Sequence, residues 1–112
     1  MRLACAVVVL CLATPLVSTS QADEGRRAAE AGDFAAAYRH WRALAVQGDV
    51  GAQASLGFLY ETGHGVVLDV DEAARWYRLA AEQGHAGAQS NLATMHLAGR
   101  GVPQDDRAAA RW

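Results

Sequence analysis

The sequence predicts an all-α fold built from a tandem repeat of helix pairs. When the chain is shifted by 36 residues against itself, residues 33–76 align with 69–112 without a gap, and 19 of the 44 aligned pairs are identical. Apolar residues make up 52% of the chain but aromatic residues only 7%, with alanine prominent among the rest. Because alanine is the best helix former and strands favour β-branched and aromatic residues, this composition favours packed helices.

Residues 1–22 have the layout of a secretory signal peptide. An arginine near the start is followed by an apolar run over 3–17 and then by small polar residues. Ser20 and Ala22 stand at the third and first positions before a predicted cleavage after Ala22, which predicts a periplasmic or secreted protein. An uncleaved N-terminal anchor is the alternative, although the apolar run is short for a membrane span.

Both cysteines, Cys5 and Cys11, lie inside this segment, so the mature chain has none. Disulfide bonds and cysteine metal sites are therefore excluded from the mature protein. Lipidation at Cys11 is disfavoured, because Leu10 stands where lipoprotein signals carry a small residue.

The mature chain divides into a leading segment and two repeat units with the start of a third. The predicted boundaries are a leading helix or linker at 23–32, repeat units at 33–68 and 69–104, and the beginning of a truncated third unit at 105–112. A repeat of this length holds one pair of helices, which cannot bury its apolar face without neighbours.

Each unit reads as two amphipathic helices that are separated by glycine. In the second unit the apolar positions of the first helix recur at helical spacing, and Asp69 with Glu72 predicts an acidic capping box before it. Those positions are Ala73, Trp76, Tyr77, Ala80 and Ala81, with Gly84 as the stop. The second helix has Ala88, Leu92 and Met95 as its apolar face, Asn91 and His96 beside it, and Gly99 as the stop. In the first unit the same roles fall to Ala37, Trp41, Leu44, Ala45 and Gly48, then to Ala52, Leu56, Leu59, Tyr60 and Gly63.

Packing between the helices is predicted to use small residues and large aromatic ones. Ala45 and Ala81, like Ala52 and Ala88, recur at matching places and allow the helix axes to approach closely. Trp76 and Trp112 are expected to fill the space between consecutive helix pairs. We expect every aromatic side chain of the mature chain to lie in the core, since they keep helical spacing with other apolar residues.

The stretch "AGRGVPQD" at 98–105 resembles a phosphate-binding loop only superficially. Its counterpart 36 residues earlier, "TGHGVVLD", keeps both glycines but not the arginine. A phosphate loop follows a strand, whereas this stretch follows a predicted helix and lacks the lysine. Gly99 and Gly101 are better interpreted as a helix stop and a turn, with Val102 entering the core and Asp105 capping the next helix.

The segment "EAARWYRLAAEQGHAGAQSNLATMHLAGRGVPQD" at 72–105 resembles a Sel1-like repeat, a subclass of the tetratricopeptide-like α/α solenoids. The resemblance covers about 33–112, and it implies a right-handed superhelical scaffold that binds other proteins. The first unit departs from the motif at Val67 and Leu68, and the second departs at Ala93 and His96, where the motif usually has glycine and tyrosine. The resemblance also implies envelope or secreted roles for bacterial members. The cysteine-rich relatives that bind or hydrolyse β-lactams are a poor match to this chain, because its mature part has no cysteine.

Nothing in the sequence resembles an active site, so the prediction is a protein that is not an enzyme and has no cofactor and no metal. The four histidines, His40, His64, His85 and His96, fall on four different repeat positions and show no helical ligand spacing. Neither Ser55 nor Ser90 has a basic residue at a spacing that would indicate an activated nucleophile, and the mature chain has no lysine. With a formal net charge of −2, the chain has no strong basic field for nucleic acid.

Arginines are the candidate partner-binding residues. They recur at intervals of 36 residues and are Arg39, Arg42, Arg75, Arg78 and Arg111. Because residues three apart share a helix face, stacked units would place them along one side of the solenoid, where they could contact an acidic partner segment. The alternative is a solvated face in which Asp71 pairs with Arg75.

We therefore predict a non-enzymatic protein–protein interaction module of the cell envelope or secreted space that binds a protein partner through its helical-repeat groove. An envelope hydrolase or a β-lactam- or peptidoglycan-binding protein is one alternative, and an inactive fragment of a longer repeat protein is another. Since about three units are normally needed for stability, self-association through the C-terminal end is also expected.

Overall fold

The computed structural model describes residues 23–112, which are helical throughout with no strand among them. The predicted signal peptide at 1–22 lies outside the described residues. The helices are α1 (23–30), α2 (Phe34–Ala45), α3 (Val50–Thr62), α4 (Val70–Glu82), α5 (Ala86–Ala98) and α6 (Asp106–Arg111). From α2 onward, each helix packs chiefly against the next one in sequence. None of the helices in 23–112 is long and apolar enough to cross a membrane.

Side-chain caps begin the helices from α2 to α6. The Asp33, Asp49, Asp69 and Asp105 side chains each accept a hydrogen bond from a backbone N–H in the first turn of the following helix. The capping box predicted for α4 is only half formed, because Glu72 pairs with Arg75 and the Asp69 N–H donates to the Tyr60 carbonyl oxygen. The backbone at the start of α4 is therefore hydrogen-bonded to the preceding helix α3 and not to the side chain of Glu72 in its own first turn.

The turn between the units is a helix stop followed by a close backbone contact. Gly99 and Gly101 both have positive φ, at 65° and 74°. A Cβ atom on Gly101 would collide with the Val70 carbonyl oxygen, so the turn lies directly against the start of α4. Val102 packs against the core beside it, as the sequence predicts.

Two core clusters run along the chain, one for each unit. The first core cluster consists of Ala45, Ala52, Leu56 and Leu59, from α2 and α3. The second core cluster consists of Ala73, Ala74, Tyr77, Ala80, Ala81, Ala88, Leu92 and Met95, from α4 and α5. Trp76 packs against the first cluster although it lies on α4, and Trp112 packs against the second. The prediction that these tryptophans fill the space between helix pairs is confirmed.

The prediction that every aromatic side chain lies in the core is wrong. Phe58 is 48% exposed, so the aromatic side chains are not all in the core. Its ring stacks on His64 with the ring centroids 6.1 Å apart, and Phe34 contacts the same imidazole at 4.5 Å. His96, expected beside the apolar face of α5, is buried, with its Nδ1 3.4 Å from the Pro103 carbonyl oxygen. A polar partner in the following turn lets histidine occupy this interior position.

Candidate binding surface

The arginine row, defined as Arg39, Arg42, Arg75, Arg78 and Arg111, is exposed at every position. The first two lie on α2, the next two on α4 and the last on α6. The row therefore consists of two pairs and one single arginine on alternate helices, and α3 packs between the two helices that carry the pairs. The structure thus places all five side chains in solvent.

Within the row, the members differ in how their charge is engaged. Arg75 pairs with Glu72 at 2.7 Å, so the expected partner Asp71 is wrong. Arg111 lies over the Trp112 ring, with its guanidinium carbon 5.4 Å from the ring centroid. The guanidinium groups of Arg39 and Arg78 form no ion pair or hydrogen bond with any side chain in 23–112. Each unit therefore presents an arginine whose charge is unengaged among the described residues.

A pair of tyrosines, Tyr38 and Tyr60, connects Arg42 of the arginine row on α2 to the neighbouring helix α3. Arg42 Nη1 donates to the Tyr38 hydroxyl at 3.1 Å, and the Tyr38 and Tyr60 hydroxyls are 3.0 Å apart. Burial raises the pKa of Tyr60 to about 12, the hydrogen bond to Tyr38 acts in the same direction, and Glu72 adds a smaller repulsion of the phenolate. Tyr60 is therefore neutral near neutral pH, and its hydroxyl links α3 to α2 through the hydrogen bond with Tyr38.

A groove of about 400 Å³ opens between α1, α2 and α3 of the first part of the chain. Its lining residues are Asp23, Arg26, Trp41, Leu44, Asp49, Gly51, Ala52 and Ser55. The volume lies within the range of ligand-binding clefts, and the lining combines apolar side chains, among them Trp41 and Leu44, with charged ones, a mixture that is common in binding surfaces.

The candidate catalytic residues occupy structural positions. The Ser55 hydroxyl donates to the Gly51 carbonyl oxygen at 2.9 Å, within its own helix. His85 caps α5 by accepting a hydrogen bond from the Ala88 N–H, and His40 lies 3.7 Å from Glu24. Across residues 23–112 no group of three or more histidine, cysteine, aspartate or glutamate side chains converges as metal ligands would. A hydroxyl–imidazole contact does occur between Thr62 Oγ1 and His64 Nδ1, which are 2.6 Å apart, and the Thr62 hydroxyl donates to the Phe58 carbonyl oxygen at 2.7 Å within its own helix.

Sequence reasoning missed two contacts that join helices across many positions of the sequence. One is the Tyr38–Tyr60 pair, which joins residues 22 positions apart. The other is the approach of Arg100 to Glu61, 39 positions apart, where Nη2 lies 3.5 Å from the Glu61 carbonyl oxygen. Neither pair falls at the repeat interval, so the periodicity carried no signal for them.

The Sel1 repeat family model matches residues 50–85 and 86–112, which together exceed half of the chain. The chain belongs to the Sel1 repeat family. The matched units begin at α3 and α5, about half a repeat after the predicted boundaries at 33 and 69. A continuous array of helix pairs can be divided at either helix of the pair. The all-α solenoid of helix pairs that the sequence predicts is confirmed by the solved structures described next.

Two solved structures are similar to this Sel1 repeat chain. One is c5321, a protective antigen present in uropathogenic Escherichia coli strains displaying an SLR fold, with 31% identity and a TM-score of 0.82 over 89% of this chain and 22% of that chain. The other is a Sel1 repeat protein from Oxalobacter formigenes, with 34% identity and a TM-score of 0.76 over 82% of this chain and 37% of that one. This chain thus spans well under half the length of either relative. None of the curated proteins compared with it is significantly similar.

Sel1 repeats are generally protein–protein interaction modules, and proteins built from them are typically non-catalytic scaffolds. The fold therefore suggests a protein partner for this chain.

Proposed function

We propose that this Sel1 repeat chain is a non-enzymatic adaptor that binds an acidic segment of a partner protein through the arginine row. The observation that carries the proposal is the exposure of all five guanidinium groups at matching positions of successive units. An acidic segment that follows the array would meet one arginine pair after another, with the spacing set by the repeat.

The two arginines without a charge partner in 23–112, Arg39 and Arg78, are the main contributors in this proposal. Arg75 is already paired with Glu72, and surface pairs of this kind contribute about 0–1 kcal/mol, so a partner carboxylate can replace Glu72 at small cost. Arginine also suits such contacts because its planar fork can hold a carboxylate through two parallel hydrogen bonds.

The test replaces Arg39, Arg75 and Arg78 by glutamine and measures binding of a fluorescent acidic peptide, and of the native partner found by cross-linking and mass spectrometry. We expect binding of both to weaken about tenfold or more and its salt dependence to decrease, since three charge contacts are removed.

A matched control replaces Arg27 and Arg107 by glutamine and is compared with the double variant Arg39→Gln, Arg78→Gln. Arg27 and Arg107 are also exposed and their loss changes the net charge equally, but they lie outside the arginine row and do not line the groove. Equal losses in the two double variants would mean that the protein responds to net charge alone, and unchanged binding in the triple variant would remove the arginine row from the proposal.

We also propose that the protein acts in the periplasm or outside the cell, from the signal-like layout of residues 1–22. Mass spectrometry of the protein from fractionated cells should find a mature N-terminus at Asp23 in the exported fraction. A membrane-associated form that begins at Met1 would instead support a retained anchor, and a cytoplasmic form would contradict export.

A further inference from the structure

A phenol hydroxyl group lies beside one guanidinium of the arginine row. Arg42 Nη1 donates to the Tyr38 hydroxyl at 3.1 Å, and the same hydroxyl is 3.0 Å from that of Tyr60 on α3. The two tyrosine rings meet edge to face, with their centroids 6.0 Å apart. Tyr38 is half-buried and packs against the first core cluster, whereas Arg42 is exposed. The Tyr38 hydroxyl therefore lies where the core meets the solvent-facing arginine row.

The hydrogen bonds of this group leave one phenol proton without an acceptor among residues 23–112. Each tyrosine hydroxyl has one proton, and the contact between Tyr38 and Tyr60 uses only one of the two, whichever side donates. The Arg42 guanidinium accepts no proton, and it forms no ion pair with any side chain in 23–112. When Tyr60 donates to Tyr38, the Tyr38 hydroxyl accepts two hydrogen bonds and can donate outward. Accepting them makes it a stronger donor, because successive hydrogen bonds polarise one another.

The arrangement of a guanidinium and two phenols occurs in the first unit and is not repeated in the second. At the equivalent positions 36 residues later, Arg78 keeps the guanidinium, but Ala74 and His96 stand in place of the two tyrosines. Arg78 makes no hydrogen bond to any side chain in 23–112. The equivalent arginines of the two units thus differ, because Arg42 is held by a hydroxyl group and Arg78 is not.

The donors at Tyr38 and Arg42 suit a carboxylate. Both groups have only donors to offer to a ligand, and one of them carries a positive charge, so the ligand must supply acceptors and is favoured by a negative charge. A carboxylate presents two acceptor oxygens in one plane, one for each donor. A carboxamide of the same shape has one acceptor and would turn its NH2 group toward a donor. Arg39 adds a second positive charge on the same helix face, three residues from Arg42.

We propose that Tyr38 and Arg42 form a carboxylate site within the arginine row, with Arg42 donating to one carboxylate oxygen and the Tyr38 hydroxyl to the other. Tyr60 is a positioning residue that holds the Tyr38 hydroxyl from α3. The ligand is a glutamate or aspartate side chain of the acidic partner segment, so the inference rests on the proposed function and deepens it. A free arginine side chain must be ordered when it binds, whereas Arg42 is already held in place.

The test measures binding of the fluorescent acidic peptide, amidated at its C-terminus, to variants of the full chain. Tyr38→Phe should weaken binding about fivefold, the loss expected for about one hydrogen bond. Its salt dependence should stay unchanged, because no charge is removed. Arg42→Gln should weaken binding at least as much and should also lower the salt dependence, since a charged contact is lost.

Tyr60→Phe is the matched control for Tyr38→Phe. Both variants break the same hydrogen bond between α2 and α3, but Tyr60→Phe leaves the Tyr38 hydroxyl beside Arg42. It should therefore lower the melting temperature as much as Tyr38→Phe does while keeping peptide binding within about twofold of the original. Binding is measured well below the melting temperature of both variants.

A double-mutant cycle shows whether the hydroxyl and the guanidinium act on the same ligand group. In an Arg42→Gln background, Tyr38→Phe should have little further effect on binding, because the carboxylate is no longer held at the site. In an Arg78→Gln background, Tyr38→Phe should keep its effect of about fivefold, since the two side chains lie in different units.

Equal losses of binding in Tyr38→Phe and Tyr60→Phe would overturn the proposal, because the hydroxyls would then act only by joining the helices. Unchanged binding in Tyr38→Phe would also overturn it, and the proposed function would stand as long as the triple variant of the arginine row still loses binding. Normal binding by that triple variant together with a loss in Tyr38→Phe would support this site and contradict the use of the whole row.

Discussion

At the residue scale, the contact that sets the distance between the units is a glycine against a tyrosine ring. Gly57 lies in the middle of α3, and a Cβ atom there would lie 2.6 Å from Tyr77 Cδ1 and Cε1. Tyr77 is buried in the second core cluster and cannot swing away. Glycine at this position therefore serves close approach of α3 to α4, at the expense of some helix propensity. Ala93 stands at the equivalent place in α5.

Gly57→Ala should therefore destabilise the protein by about 1–3 kcal/mol, the usual range for an overpacked core. The measurement is chemical denaturation followed by far-ultraviolet circular dichroism. Gly51→Ala is the matched control, because it lies in the same helix with only the Asp49 carboxylate within 4 Å, at 3.5 Å. We expect that change to be neutral or stabilising, and a loss equal to that of Gly57→Ala would show that the tyrosine contact is not the cause.

At the element scale, the helices from α3 to α5 are equal in length, at 13 residues each, but differ in how they begin. Asp49 caps α3 by accepting from the Ala52 N–H at 2.8 Å, and His85 caps α5 by accepting from the Ala88 N–H at 3.0 Å. These two caps are equivalent positions of consecutive units. The imidazole satisfies one backbone donor but carries no negative charge to interact with the positive end of the helix.

His85→Asp should stabilise the protein by about 0.5–1 kcal/mol, because aspartate is a preferred cap and its charge interacts favourably with the helix dipole. Urea denaturation at about pH 8 measures the change. The reciprocal variant Asp49→His should lose a similar amount, so changes of the same sign in the two variants would contradict this account.

At the scale of the whole molecule, the two core clusters are joined by side chains that belong to one unit and pack on the other. Trp76 extends from α4 to the first core cluster, while Val50, Ala54 and Tyr60 of α3 pack against the second. In a solenoid, stability is the sum of such neighbour interfaces and the intrinsic stability of each unit. We therefore expect the units to unfold together only as long as this interface is intact.

Trp76→Ala should cost about 3–5 kcal/mol, the range for truncating a packed tryptophan, and should separate one cooperative transition into two. Hydrogen exchange by NMR would then show different opening free energies for α2–α3 and α4–α5. Leu79→Ala is the control, since that side chain lies on the same helix but is 44% exposed. A single sharp transition in the Trp76 variant would show that the backbone turn couples the units without this side chain.

Most of the local structure could be predicted from the sequence. The helix stops at Gly63 and Gly99, the aspartate caps and the buried alanines all follow from short-range rules about φ, capping and helical spacing. The arginine row was predicted as a pattern, and the structure adds that Arg75 pairs with Glu72 and not with Asp71. This difference is one of side-chain geometry on a single helix turn, where positions three and four residues away both lie within reach.

The sequence by itself determined the repeat, its period, the helix pairs and the family, because these depend on local backbone preferences that recur at a fixed interval. Only the tertiary structure decided the contacts between helices. The burial of His96, the exposure of Phe58, the Tyr38–Tyr60 pair and the approach of Arg100 to Glu61 all depend on such contacts. The two units differ in sequence at these positions, and contacts between helices depend on the distance and angle of packing, which the pattern of one helix does not contain.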